Sequence, residues 1–219
     1  MVDAGLTQRM GEPVVASSEQ SELLRKGRRL EYFTLGWNLL EGVVSVGAGL
    51  MAGSTALVGF GADSFIESGS GAVLLWRLQD HERHADREAL ALRLVGLSFF
   101  LLAAYVAFEA TRSLVTREPP DASWIGITIA ALSLVVMPIL ARRKRLVAGK
   151  LDSRALEADS RQTQLCAYLS AILLGGLLLN AVLGWWWADP VAALGMVPII
   201  AHEGGSAWKG EACDGSCHA

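Results

Sequence analysis

Six stretches of the sequence, roughly 32–52, 56–78, 89–115, 123–141, 156–183 and 187–208, are mainly apolar, with short charged clusters between them. A helix needs about 20 such residues to cross the hydrocarbon core of a bilayer. The chain therefore reads as an all-α, polytopic membrane protein with six transmembrane helices. Its composition agrees, since 52% of its 219 residues are hydrophobic and 19% are charged.

The placement of Lys and Arg sets the orientation of such a bundle, whereas the net charge of −3 does not. Of the 19 Lys and Arg residues, all but Arg112 and Arg117 fall in the N-terminal segment, around the second and fourth loops, or after the last span. This puts both termini in the cytoplasm. Trp124, Trp185, Trp186 and Trp187 then lie at the outer surface, and Trp76 and Trp208 at the inner one, where amphipathic rings suit the headgroup layer. The first 20 residues are polar and contain no apolar signal segment, so the first span is expected to be an uncleaved anchor. Asp189-Pro190 reads as a helix start, with Asp as N-cap and Pro at the first helical position. Pro138 and Pro198 are expected to kink their helices without breaking them. Gly49 and Gly53 match a small-residue packing pattern.

Two carboxylates, Asp63 and Glu67, interrupt the second span four residues apart, GFGADSFIES being residues 59–68. Each costs about 2.5–3.5 kcal/mol at the bilayer centre on the mildest scale. The spacing puts both on one helix face. Like charges there make sense only with a cation between them or a shared proton. Glu67 falls near the middle of span two, and Asp63 lies one turn nearer the outside. In span five Cys166 sits about 15 Å from the cytoplasmic start at 1.5 Å rise per residue. Gln162 is one turn closer to the cytoplasm, and Asp159 and Thr163 share its face. Span one adds Glu41, with Asn38 one turn below it, and Glu41 reads equally as a ligand and as a hydrogen-bonded structural acid. Glu109 in span three is expected to pair with Arg112. His81 and His84 are read as solvated, and His202 fits either role.

Carboxylates with a thiolate suit a borderline dication such as Zn²⁺. Exchange for protons follows naturally, because such ligands deprotonate to bind metal. Walker loops, dinucleotide fingerprints and basic aromatic patches are absent from the sequence, so no organic cofactor, nucleic-acid partner or enzymatic activity is expected.

The segment Ala62-Asp63-Ser64-Phe65-Ile66-Glu67 resembles the second-span motif of the cation diffusion facilitator (cation efflux) family, an acidic or His residue followed four positions later by Asp. Ala155-Leu156-Glu157-Ala158-Asp159-Ser160-Arg161-Gln162 resembles the family's approach to span five, where the usual pattern is His, three residues, then Asp. Gly175-Gly176-Leu177 and Trp187-Ala188-Asp189-Pro190 resemble the run into span six. The resemblance implies that Asp63 and Glu67 hold the two metal positions of span two, and Gln162 and Cys166 those of span five. Gln is a poor transition-metal ligand, so Asp159, Glu41 or water is left to complete the set.

The resemblance further implies a multi-pass plasma (inner) membrane homodimer that exports a divalent metal in exchange for protons. Zn²⁺ is favoured, with Cd²⁺, Fe²⁺, Co²⁺ or Ni²⁺ as alternatives. The chain reads as a short form without the family's cytoplasmic C-terminal domain. Its parts are a polar segment 1–30, a six-helix transport domain 31–208 and a tail 209–219. In that tail Cys213, Cys217 and His218 form a candidate metal-capture group, set against an incidental reduced tail. A metal sensor or accessory protein without transport is the competing function.

Overall fold

The computed structural model describes residues 13–79, 85–117, 120–151 and 153–209. These form six α-helices, α1 (Pro13–Ala52), α2 (Thr55–Gln79), α3 (Ala85–Thr116), α4 (Trp124–Leu151), α5 (Arg154–Leu183) and α6 (Ala188–Lys209). Each apolar run of the sequence maps onto one helix. The charged flanks do not end the helices where the apolar runs end. α1 begins at Pro13, well inside the stretch read as a polar segment, and α4 continues ten residues past 141 through Arg142-Arg143-Lys144-Arg145.

The helix ends have identifiable causes. Gly53 and Gly184 take left-handed conformations, with φ of 67° and 65°, and so let α1 and α5 stop and the chain reverse. Ser123 accepts the Gly126 amide at 3.1 Å to start α4, and Ser153 accepts that of Leu156 at 3.4 Å to start α5. Pro138 and Pro198 lie inside α4 and α6, and both helices continue through them. Asp189 corrects an expectation. α6 begins at Ala188, and the Asp189 carboxylate caps a neighbouring helix instead of its own. It accepts from Ser54 Oγ at 2.5 Å and from the Ala56 amide at 3.4 Å, while Ser54 Oγ accepts from the Leu57 amide. The start of α6 is thereby stapled to the start of α2.

Helix contacts define the layout. α1 packs on α2 and α4, α4 packs on α5, and α5 packs on α2, which closes a four-helix ring. α3 and α6 pair with each other and lie against α2, with α6 also touching α5. The α1–α2 seam is unusually close because glycines line it. A Cβ on Gly49 would sit 2.8 Å from Val58, one on Gly42 2.9 Å from Phe65, and one on Gly61 2.8 Å from Val46. Gly53, the other half of the expected packing pattern, serves the turn.

The burial pattern differs from that of a water-soluble protein in its exposed apolar exterior and its buried polar groups. Met51 is 83% exposed and Val115 76%, whereas Asn38, Glu41, Ser45, Ser133 and Lys144 are at 0%. Large apolar side chains on the exterior, with the polar groups of the spans turned inward, are what a bundle solvated by lipid requires. α1 from Gln20, α3 from Gly96, α4, and α5 from Asp159 are each long and apolar enough to cross a membrane.

Candidate functional site

α1 carries a polar stripe along the face it turns into the ring. Glu31, Thr34, Asn38, Glu41 and Ser45 recur at helical spacing, and all are buried. Glu41 is the best-connected group of the stripe. Its carboxylate accepts from Ser64 Oγ of α2 at 2.8 Å, from Trp37 Nε1 at 2.8 Å and from Ser133 Oγ of α4. The Cys166 thiol of α5 approaches it at 3.8 Å. One carboxylate thus gathers side chains from α2, α4 and α5 around α1.

Asp63 and Glu67 project from α2 into the same interior and are both buried. Glu67, Glu41 and Asp63 all lie close enough to Cys166 to interact with it electrostatically. Glu67 Oε1 has no hydrogen-bond partner, and neither does either polar atom of the Asn38 side chain or Ser45 Oγ. Buried polar atoms without partners cost free energy unless something else meets them. Three carboxylates in an apolar bundle likewise require a cation or protons. The interior is therefore short of positive charge and of partners for its polar groups, which a partly dehydrated dication with its waters, or protons, would supply.

The structure assembles Glu41, Asp63, Glu67 and Cys166 on the interior faces of α1, α2 and α5. Among the described residues no three His, Cys, Asp or Glu side chains already stand in ready metal-site geometry. Gln162 is one turn away, where its Oε1 accepts from Ser70 Oγ at 3.3 Å, and Ser70 also donates to the Glu67 carbonyl. Asp159 is engaged elsewhere. Lys144 Nζ of α4 donates to Asp159 Oδ2 at 2.5 Å, to Glu31 Oε2 at 3.1 Å and to Thr163 Oγ1 at 3.3 Å. Glu109 and Arg112 pair at 3.1 Å on the surface of α3, as the sequence suggested. His202 is largely exposed, 3.8 Å from Glu203. Cys213, Cys217 and His218, and the loop residues His81 and His84, lie outside the described residues.

The buried Lys144 ion-pair cluster was not legible in the sequence. Lys144 sits in the run RRKR, which looks like solvated loop charge. The extension of α4 turns it inward between α1 and α5, and its side chain is 0% exposed. Ser64 and Ser133 were missed for a different reason. A serine in an apolar helix usually bonds to its own backbone, and only the fold shows that these two reach Glu41.

Residues 33–209 match the model of the cation efflux transmembrane domain. An uncharacterized transporter of Synechocystis sp. is 30% identical over 186 residues, covering 78% of this chain and 58% of its own. The cation-efflux pump FieF of Shewanella oneidensis is 24% identical over 156 residues, 67% of this chain and 52% of the pump. The magnetosome protein MamB of Magnetospira sp. is 24% identical over 182 residues, 79% and 60% of the two chains. The chain thus spans about half the length of the curated relatives it matches.

Proposed function

The chain belongs to the cation efflux family, and from that premise we propose that it exports a divalent transition-metal cation across the plasma (inner) membrane in exchange for protons. Zn²⁺ is the favoured substrate, ahead of Cd²⁺, Fe²⁺, Co²⁺ and Ni²⁺. The observation that carries this reading is the burial of Glu41, Asp63, Glu67 and Cys166 on three helices of one four-helix ring, with the Cys166 thiol 3.8 Å from the Glu41 carboxylate. Two carboxylates at i, i+4 plus a thiol supply hard and soft donors together, a set suited to a borderline dication. Metal entering such a site displaces protons from the donors, and protons returning release the metal. That exchange keeps the interior close to neutral at each step, which a low-dielectric site demands.

In this reading Asp63, Glu67 and Cys166 are the principal ligands. Glu41 is a fourth donor or the group that orients them, and Gln162 and Asp159 border the route toward the cytoplasm. All six helices cross the membrane, with both termini inside. A homodimer is the proposed assembly, and the Cys213, Cys217 and His218 group is proposed to capture metal at low concentration. The relatives named as cation-efflux pumps support export, and enzymatic turnover is no part of the proposed role.

The test is flux of a divalent-ion panel by purified protein in proteoliposomes, with an internal pH indicator. Zn²⁺ movement coupled to opposite proton movement is the expected result. Metal binding without flux of any ion would replace the transporter with a sensor or accessory protein.

A further inference from the structure

The α1–α4 seam has an outward face as well as the inward one that holds Glu41. Lys144 meets Glu31, Ser133 meets Glu41, and a Cβ on Gly27 would lie 3.8 Å from Val147. These pairings fix the two helices as antiparallel, with residue 27 beside 147 and residue 41 beside 133. On the outer side of this seam lies an open groove of about 650 Å³. Its wall toward the middle of the bundle is apolar, formed by Phe33, Val136, Ile139 and Leu140. By the same register Lys26, Arg29 and Arg143 lie toward its other end, among Leu30, Leu146 and Val147.

The charge at that end is poorly compensated. Lys144, next to Arg143 in sequence, points inward and is held by Glu31 and Asp159. Lys26 pairs with Glu22 at 2.8 Å, but both side chains are 57% exposed, where such pairs contribute little. Arg29 and Arg143 make no ion pair among the described residues.

We propose that this groove binds an anionic phospholipid, with its phosphate between Arg29 and Arg143 and an acyl chain along Phe33, Val136 and Ile139. The guanidinium fork matches phosphate oxygens in pairs, and a basic recess between membrane helices is suited to acidic headgroups. A zwitterionic lipid would bring its own cationic group against three cations. A second copy of the chain docked by two-fold symmetry would set the same cations face to face. The anionic lipid is the occupant that complements both ends. Because Arg29 is on α1 and Arg143 on α4, the bound phosphate would tie together the two helices whose inner faces carry Glu41 and Ser133.

The experiment is native mass spectrometry of the purified full chain in detergent, with palmitoyl-oleoyl phosphatidylglycerol and phosphatidylcholine added in competition. Wild type should retain the anionic phosphatidylglycerol with about tenfold preference. Arg29→Gln with Arg143→Gln, both on exposed positions, should remove most of that preference without changing thermal stability in detergent. Val136→Trp, which fills the apolar end, should reduce retention of either lipid. Equal retention of the two lipids by wild type would overturn the proposal, as would a preference that survives the double substitution. A shift in oligomeric state caused by Val136→Trp would also overturn it, by assigning the groove to a second copy.

Discussion

Ser133 of α4 donates a hydrogen bond to the Glu41 carboxylate of α1, 92 positions away in sequence. This contact lies at the level where Ser64 and Cys166 also converge on Glu41. It ties the two helices of the outer seam to the acidic interior. Glu41 is thus both a bracket for the bundle and a potential ligand, and those two roles separate experimentally. Glu41→Gln retains an oxygen acceptor for one or two of its donors but loses the charge. It should leave the melting temperature within a few degrees of wild type while weakening metal binding by about tenfold or more. Ser133→Ala removes a donor to a buried charge and should cost about 1.5–3 kcal/mol of stability. Calorimetric titration with Zn²⁺ and thermal unfolding of both variants check this. Unchanged affinity in Glu41→Gln would leave Glu41 a structural group alone.

Asp63 and Glu67 are expected to carry the cation. Asp63→Asn and Glu67→Gln keep shape and remove one formal charge each, and each should abolish flux while the protein remains inserted and folded. Metal uptake into proteoliposomes, with circular dichroism as the folding control, measures both. Near-normal flux in either variant would remove that residue from the site.

Lys144 offers a stability test. Its ammonium is enclosed by Glu31 and Asp159, with Thr163 beside it. Lys144→Met leaves two carboxylates facing each other in the bundle and should cost about 3–5 kcal/mol, as breaking a buried pair does. Neutralising the partners as well, with Glu31→Gln and Asp159→Asn, should restore much of the loss, because no uncompensated charge remains. Thermal unfolding of the single and triple variants decides the matter. A single variant as stable as wild type would show that the cluster is not holding α1, α4 and α5 together.

These residues also mark how far the sequence could be read. The helices were legible because a bilayer imposes a minimum length of apolar residues. Asp63 and Glu67 were legible because a carboxylate in such a run has few structural excuses. Lys144 was not, since its neighbours Arg142, Arg143 and Arg145 make it look like one more loop charge, and only the continuation of α4 turns it inward. Asp189 has the local pattern of an N-cap, yet tertiary contact gives its oxygens to Ser54 and Ala56. Local propensity yields where a distant donor lacks another partner. The convergence on Glu41 belongs to the same class, because pairings across 23, 92 and 125 positions leave no periodic trace.

The orientation is tested independently of transport. In the proposed topology seventeen of the 19 basic residues fall on the side of the termini and the even-numbered loops. A reporter fused after residue 118 should therefore score as external and one after residue 152 as internal. The opposite pattern would invert the bundle.

Cys166 provides the sharpest test of substrate choice. It replaces the acid that the family resemblance leads one to expect at this position of α5, and its thiol lies 3.8 Å from Glu41 Oε1, with Glu67 and Asp63 close by. Sulfur is a softer donor than carboxylate oxygen, so its presence should favour Zn²⁺ and Cd²⁺ over Mn²⁺. A bound dication displaces the thiol's proton, which is released along the pathway and makes Cys166 a contributor to proton exchange as well. Cys166→Asp restores an oxygen donor and should keep flux while moving preference toward Mn²⁺. Cys166→Ala removes the donor and should weaken Cd²⁺ binding most. Burial of the residue means that Ala also leaves a small void, and a general loss of stability would lower all ions together. The ratio of Cd²⁺ to Mn²⁺ flux is therefore the informative readout, because packing defects cancel in it and ligand softness does not. A ratio unchanged across wild type and both variants would make Cys166 a packing residue.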